Sequence, residues 1–251
     1  AGPRGLQCDP EQVPKFDQVV TSAAREGLYS FYDILTPRPW TWGELGIPSP
    51  GGKDPEPSLA AALCLCDARA FGAWKTAAGV LYGRKNKIGS KMYPMDPAVP
   101  LVSVFSDCSA FSPWDDVRAL PFMRDEYGKW LKAKRAKDPD FMKDAVCEEM
   151  DFGVMPLHEK KAASIRLFLA ERETSALERM RGHLSALKTK ALVGATLGSW
   201  HYRDVAVSRM SALDFTVDGK KTKLSYNLNM QGVRETTDSE TETSATSFLP
   251  S

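Results

Sequence analysis

The chain has 251 residues, with 33 Lys and Arg against 32 Asp and Glu, and 43% of its residues are hydrophobic. These proportions are typical of globular proteins and exclude a collagen, a disulfide-dense miniprotein and a wholly disordered chain. The most apolar window, residues 59–81, contains Asp67, Arg69 and Lys75. Charges at these positions predict a buried helix instead of a membrane span.

The predicted fold class is α+β and predominantly helical. We expect a helical, bundle-like body, a Pro-rich N-terminal arm and a small C-terminal antiparallel β element. The sequence divides into four parts: an N-terminal helix and Pro/Trp-rich arm (1–57), a helical body (58–193), the β element (194–234) and an acidic Ser/Thr-rich tail (235–251).

The N-terminal part combines a helical pattern with a long irregular stretch. Asp9-Pro10-Glu11 predicts a helix start, and apolar residues at three–four spacing continue the pattern to about Leu35. Residues 36–57 then hold six prolines together with Trp40 and Trp42. Such indoles need apolar surroundings, so either this loop wraps its own domain or it is an arm that binds a partner. We predict Trp40 and Trp42 as partner contacts.

The body shows helical patterns over most of its length. Ser58 predicts the start of a helix that reaches about Tyr82. The longest pattern fits either one helix of about 35 residues or two helices with a break near Thr174. The predicted segments are helices over 123–136, 140–151 and 157–192, and a short strand over 101–105.

In the C-terminal part, the spacing of apolar residues changes from a helical period to the two-residue period of a strand. Asp218-Gly219 lies between 214–217 and 223–228 and predicts a β-hairpin, while 200–207 fits either a third strand or a helix. The tail carries four acidic residues and no basic one, and its only large apolar residues are Phe248 and Leu249. We predict these two as a second partner-binding anchor.

The residues for common catalytic or metal chemistry do not form a recognised pattern. The five cysteines include no C-x-x-C pair, so buried thiols are predicted, with a single disulfide left open. No catalytic residue, metal site or family resemblance is recognised. The cofactor is unknown, because pigments, lipids and quinones leave no reliable motif. The cysteines are Cys8, Cys64, Cys66, Cys108 and Cys147.

Two basic clusters are candidates for binding an anionic polymer such as nucleic acid, with ordinary surface charge as the alternative. The candidate residues are Arg84, Lys85, Lys87, Lys91, Lys129, Lys132, Lys134 and Arg135.

The functional hypothesis is a non-catalytic structural or accessory subunit of a larger multiprotein assembly, which uses extended arms to bind neighbouring protein subunits. The alternatives are a nucleocapsid or coat-type protein that polymerises on nucleic acid, and an enzyme of an unrecognised family. A first residue Ala1 fits removal of an upstream segment, as in plastid or mitochondrial proteins, and equally fits a remnant of a tag.

Overall fold

The computed structural model describes residues 10–34, 39–104 and 109–195 in full, and residues 214–217 and 220–223 as backbone. The described chain is rich in helix and also contains strands, which confirms the helix-rich α+β class. Its elements are α1 (Gln12–Arg25), β1 (Phe31–Asp33), α2 (Trp42–Leu45), α3 (Pro57–Cys66), α4 (Ala68–Leu81), β2 (Leu101–Ser103), α5 (Trp114–Arg118), α6 (Pro121–Lys137), α7 (Ala163–Ala186), β3 (Leu192–Gly194), β4 (Asp214–Val217) and β5 (Lys220–Lys223).

A three-stranded parallel sheet corrects the expectation that the β structure is antiparallel, and its middle strand, β2, lies within the strand predicted over 101–105. The strand order is β1-β2-β3, with Phe31 opposite Leu101 and Leu101 opposite Leu192. Each strand has only three residues. A strand of three residues is too short to show an alternating apolar pattern. Its parallel partners also lie far away in the sequence, so the pairing cannot be predicted from local spacing.

The predicted hairpin is present as a separate two-stranded sheet. β4 pairs antiparallel with β5, and Val217 lies opposite Lys220, so residues 218 and 219 connect the strands. The second strand is Lys220–Lys223, which corrects the prediction of 223–228. Residues 200–207 and the tail lie outside the described residues.

The two faces of the parallel sheet differ in burial. Successive side chains of a strand point to opposite faces. Tyr32, Val102 and Val193 form one row and are at most 8% exposed. Helix α4 covers this face, since the Tyr32 hydroxyl donates to the Leu81 carbonyl (2.5 Å) and the Trp74 indole donates to the Val104 carbonyl (2.9 Å). On the opposite face, Phe31 is 56% exposed and begins the edge strand.

The first helix is shorter than its apolar pattern predicts. It ends at Arg25, and Gly27 follows with a φ of +75°, a conformation that favours glycine and turns the chain toward β1. The prediction of a helix to Leu35 is therefore wrong. Leu28 and Phe31 fit the helical spacing by coincidence, because three- and four-residue intervals also occur across a turn and a strand.

Three further helix predictions need correction. The pattern over 58–82 splits into α3 and α4 at Asp67, whose carboxylate accepts from the Arg69 and Ala70 amides. The 157–192 pattern contains one unbroken helix, α7, of 24 residues. In place of the helix predicted over 140–151, residues 140–145 form turns, in which Met142 has a φ of +49°, and Glu149–Asp151 form a short 3-10 helix. Within the described residues, no helix is both long enough and apolar enough to span a membrane.

Candidate interaction surface

Exposed apolar side chains concentrate on the segments that lead into the three parallel strands. Nine of the eleven large apolar side chains that are exposed in the described residues lie there. We call this set the amino-edge surface, because all its members precede or begin a strand. It consists of Phe16, Val19, Leu28, Tyr29, Phe31, Ile88, Met92, Met95 and Leu192.

Helix α1 buries two polar residues beside Val20 and exposes two of its large apolar residues. Phe16 and Val19 are 42% and 66% exposed, whereas Asp17 is fully buried and Thr21 is 8% exposed. A helix on a globular core ordinarily buries its apolar stripe and exposes its polar side. The orientation of α1 therefore requires polar contacts strong enough to hold the helix in place.

The Asp17 carboxylate supplies those contacts. It accepts hydrogen bonds from the Tyr93 hydroxyl (2.6 Å) and the Lys87 amide (2.9 Å), and it pairs with the Arg84 guanidinium (2.7 Å). Burial alone would raise the pKa of Asp17, but the hydrogen bonds from Tyr93, Lys87 and Arg84 outweigh it and lower that pKa below its ordinary value. The carboxylate is thus held in its charged form.

The backbone of α1 is tied to the same loop. The Asp17 carbonyl accepts from the Asn86 side-chain amide (3.3 Å) and from the Thr21 hydroxyl (2.7 Å). The Asn86 side-chain oxygen in turn accepts from the Ile88 amide (2.9 Å) and the Gly89 amide (2.8 Å). These bonds hold the loop that carries Ile88 and Met92 beside α1.

Aromatic contacts anchor the base of this surface. The Phe16 ring lies edge-on to Tyr32 and Tyr93, with centroid distances of 5.4 and 5.9 Å. The Arg84 guanidinium lies over the Tyr93 ring, 4.9 Å from its centroid. Burial and the neighbouring Asp17 carboxylate raise the pKa of Tyr93, so its hydroxyl stays protonated and donates to Asp17.

The first predicted basic cluster borders this surface. Lys85, Lys87 and Lys91 are exposed, on the loop that also carries Ile88 and Met92. Lys91 lies 3.7 Å from Asp96, a loose ion pair at the surface. Arg84 has a different role from the predicted one, since its guanidinium pairs with buried Asp17. The amino-edge surface is thus apolar with a basic border.

The second predicted basic cluster is largely neutralised by nearby carboxylates. Lys129 pairs with Glu126 (2.8 Å), Lys134 with Glu171 (2.6 Å), and Arg135 with Glu148 (2.5 Å). Lys132 is exposed on the same helix. Four cations that face three carboxylates present little net positive charge, so this side of α6 resembles an ordinary solvated helix face.

The tryptophans predicted as partner contacts are buried within the chain's own core. Trp40 is 2% exposed and Trp42 is 6% exposed. The Trp42 indole donates to the Lys53 carbonyl (3.0 Å), and the Trp42 amide donates to the Asp54 carboxylate (3.2 Å). The loop therefore wraps its own domain, and neither indole is accessible to a partner. The other predicted anchor, Phe248 and Leu249, lies outside the described residues.

The described cysteines Cys64, Cys66 and Cys147 are buried, as predicted, whereas Cys8 and Cys108 lie outside the described residues. Burial raises the pKa of the Cys147 thiol to about 12, so this side chain is a poor nucleophile at neutral pH. In the described part of the chain, no group of three or more His, Cys, Asp or Glu side chains is placed to hold a metal ion.

A buried carboxylate in the middle of α7 binds the chain segment that follows β2. Glu173 is fully buried and accepts from the Ser109 hydroxyl (3.1 Å) and the Ala110 amide (2.6 Å). These bonds attach the segment that follows β2 to the middle of α7. The burial of Glu173 and Asp17 is not predictable from the sequence, because an isolated carboxylate in a helical pattern predicts an exposed position.

The stability of the chain is expected to fall as the pH drops from 7.5 to 5, because of His183. Its ring lies between α7 and α4, 5.9 Å from the Trp74 ring, and its Nε2 atom is buried without a hydrogen-bond partner in the described structure. Burial, and secondarily the charge of Lys75, lowers the pKa of His183. The unfolded state therefore binds a proton more readily below a pH of about 6.5.

Urea unfolding at several pH values measures this effect. His183→Gln is expected to flatten the acid-side decline in the free energy of unfolding, whereas His158→Gln, at an exposed histidine, leaves it unchanged. An identical decline in wild type and His183→Gln would show that His183 does not cause it.

The chain matches no protein-family model, no curated protein and no solved structure.

Proposed function

We propose that this protein is a non-catalytic subunit of a larger multiprotein assembly and binds a neighbouring subunit through the amino-edge surface. The observation that carries the proposal is the concentration of nine exposed apolar side chains on one group of segments. Exposed apolar side chains concentrated in one region of a globular domain commonly mark an interface.

The composition of the surface supports this assignment. Aromatic residues and methionines are enriched in the centres of protein interfaces, and the amino-edge surface contains three aromatic residues and two methionines. Tyr29 and Phe31 are the most suitable anchors, since they are 76% and 56% exposed and lie two residues apart on the chain. Aromatic side chains often contribute a large share of binding energy.

The border of the surface indicates the chemistry of the partner. Lys85, Lys87 and Lys91 are exposed beside Ile88 and Met92. A partner that buries the apolar side chains brings its own flanking residues close to these lysines. Acidic residues at those places add attraction and specificity, whereas basic ones repel. The partner is therefore expected to present an apolar segment flanked by carboxylates.

Nucleic acid is the second candidate partner, and the same three exposed lysines favour it. A polyanion, however, leaves the apolar side chains of the amino-edge surface without a complementary partner. The two candidates also differ in salt dependence, because binding to nucleic acid weakens steeply as salt is raised. An enzyme of an unrecognised family has no supporting observation in the described residues.

Charge reversal at the border tests the proposed partner chemistry. Lys85→Glu with Lys87→Glu is expected to weaken assembly about tenfold, because it places like charges across the interface. The matched control is Lys160→Glu with Lys161→Glu, another two exposed lysines close together in the chain and remote from β1 in the sequence. Sedimentation of tagged variants in extracts of the source cells measures assembly. Equal assembly of both variants and wild type would contradict the proposal.

A further inference from the structure

We infer that the chain's own acidic segment, residues 235–251, binds the amino-edge surface within the same molecule and competes there with the assembly partner. The inference rests on the proposed function, because it takes the amino-edge surface to be the interaction site. It identifies a second occupant, one with the chemistry expected of the partner.

The segment has the required composition. Its charged residues are four acids, Glu235, Asp238, Glu240 and Glu242, without a single base. Its large apolar residues are Phe248 and Leu249, which are adjacent. One short stretch thus combines carboxylates for the exposed lysines with an apolar pair for the exposed aromatic side chains.

Exposed apolar side chains elsewhere in the described chain lack the basic border. The two that lie outside the amino-edge surface are Met150 and Val154. Their near neighbours in the sequence are Glu148, Glu149 and Asp151, which repel an acidic segment. The combination of exposed apolar side chains and neighbouring lysines therefore favours the amino-edge surface, where Lys85, Lys87 and Lys91 are exposed beside Ile88 and Met92.

The connecting chain is long enough for binding within one molecule. Strand β5 ends at Lys223, and the eleven residues 224–234 separate it from the acidic segment. Eleven residues reach about 36–40 Å when fully extended. Strand β4 lies beside β3, and the three-residue strand β3 is only about 10 Å long from its carboxyl end to its amino end. A tether of this kind gives an effective concentration in the millimolar range, so a dilute partner must displace the segment to bind.

A photo-crosslinking experiment on the full chain tests the inference. Phe248 is replaced by p-benzoylphenylalanine, the purified protein is irradiated, and the crosslinked peptides are identified by mass spectrometry. We expect crosslinks within one molecule to residues 16–31 or 85–92. The same photoreactive residue at Thr237, eleven positions away from Phe248, is expected to give a different and weaker pattern.

A charge exchange makes the test specific. Lys85→Glu with Lys87→Glu is expected to reduce the crosslink yield at least fivefold, and adding Glu240→Lys with Glu242→Lys is expected to restore it. Both lysines are exposed, so the fold is retained, and circular dichroism verifies this. Crosslinks that map elsewhere, occur only between two molecules or do not form overturn the inference, as does a yield that charge exchange leaves unchanged.

The two proposals fail separately. If assembly depends on Tyr29 and Phe31 but Phe248 does not crosslink to the amino-edge surface, the inference is wrong and the proposed function stands. If the crosslinks form but assembly is independent of Tyr29 and Phe31, the acidic segment covers this surface and the proposed function is wrong.

Discussion

Asp17→Ala is expected to lower the free energy of unfolding by about 3–5 kcal/mol, because it leaves buried partners of a charged group without their acceptor. The substitution removes the carboxylate that receives the Tyr93 hydroxyl, the Lys87 amide and the Arg84 guanidinium. It also leaves the Arg84 guanidinium, which is largely buried, without its carboxylate partner. Urea unfolding followed by circular dichroism measures the change.

Asp144→Ala is the matched control, since Asp144 is exposed in a turn. Its effect is expected to stay within about 0.5 kcal/mol. A loss below about 1 kcal/mol for Asp17→Ala would show that the polar network does not hold α1. That result would also remove the physical basis for an outward-facing apolar stripe on this helix.

The pH dependence of the Asp17 effect has a defined sign. The pKa of Asp17 is lowered in the folded state, so its stabilising contribution is fully present above the unfolded pKa of about 4. The contribution is lost as the pH falls through the lower, folded-state value. The difference in stability between wild type and Asp17→Asn is therefore expected to be constant from pH 5 to 6 and to shrink below pH 4.

Tyr29→Ser with Phe31→Ser is expected to weaken assembly on the order of 100-fold or more, since central aromatic anchors each contribute about 2 kcal/mol or more. The fold is expected to survive, because the two side chains are 76% and 56% exposed in the isolated chain. Native mass measured over a range of concentrations reports the change in affinity, and thermal unfolding verifies the fold.

Met150→Ser with Val154→Ser is the control for this variant. These side chains are 76% and 72% exposed, close to the exposure of Tyr29, but they lie outside the amino-edge surface. The control is expected to assemble like wild type. If both double variants lose assembly to the same extent, exposed apolar area in general causes association and the amino-edge surface has no special role.

Local sequence patterns, such as apolar spacing and turn residues, predict the helices better than the parallel sheet. The apolar spacing of α4, α6 and α7 and the Asp-Gly turn before β5 identify elements that are present. The parallel strands β1, β2 and β3 are joined by long connections and contribute three residues each. Their pairing depends on contacts between distant segments, which no local pattern encodes.

The amino-edge surface could not be predicted from the sequence for a related reason. Phe16 and Val19 follow helical spacing, and such spacing ordinarily predicts the buried side of a helix. The burial of Asp17 depends on Lys87 and Tyr93, which lie 70 and 76 residues farther along the chain. Trp40 and Trp42 present the reverse case, because residues typical of interfaces are used here to pack a proline-rich loop onto its own domain.

The native mass of the protein, purified gently from its source together with whatever binds it, tests the central claim most directly. We expect a discrete particle that is much heavier than the 27.7 kDa chain and contains other proteins. Tyr29→Ser with Phe31→Ser is expected to release those proteins. A large homopolymer that absorbs near 260 nm would favour the nucleic-acid alternative. A lone chain of 27.7 kDa would contradict a role as an assembly subunit.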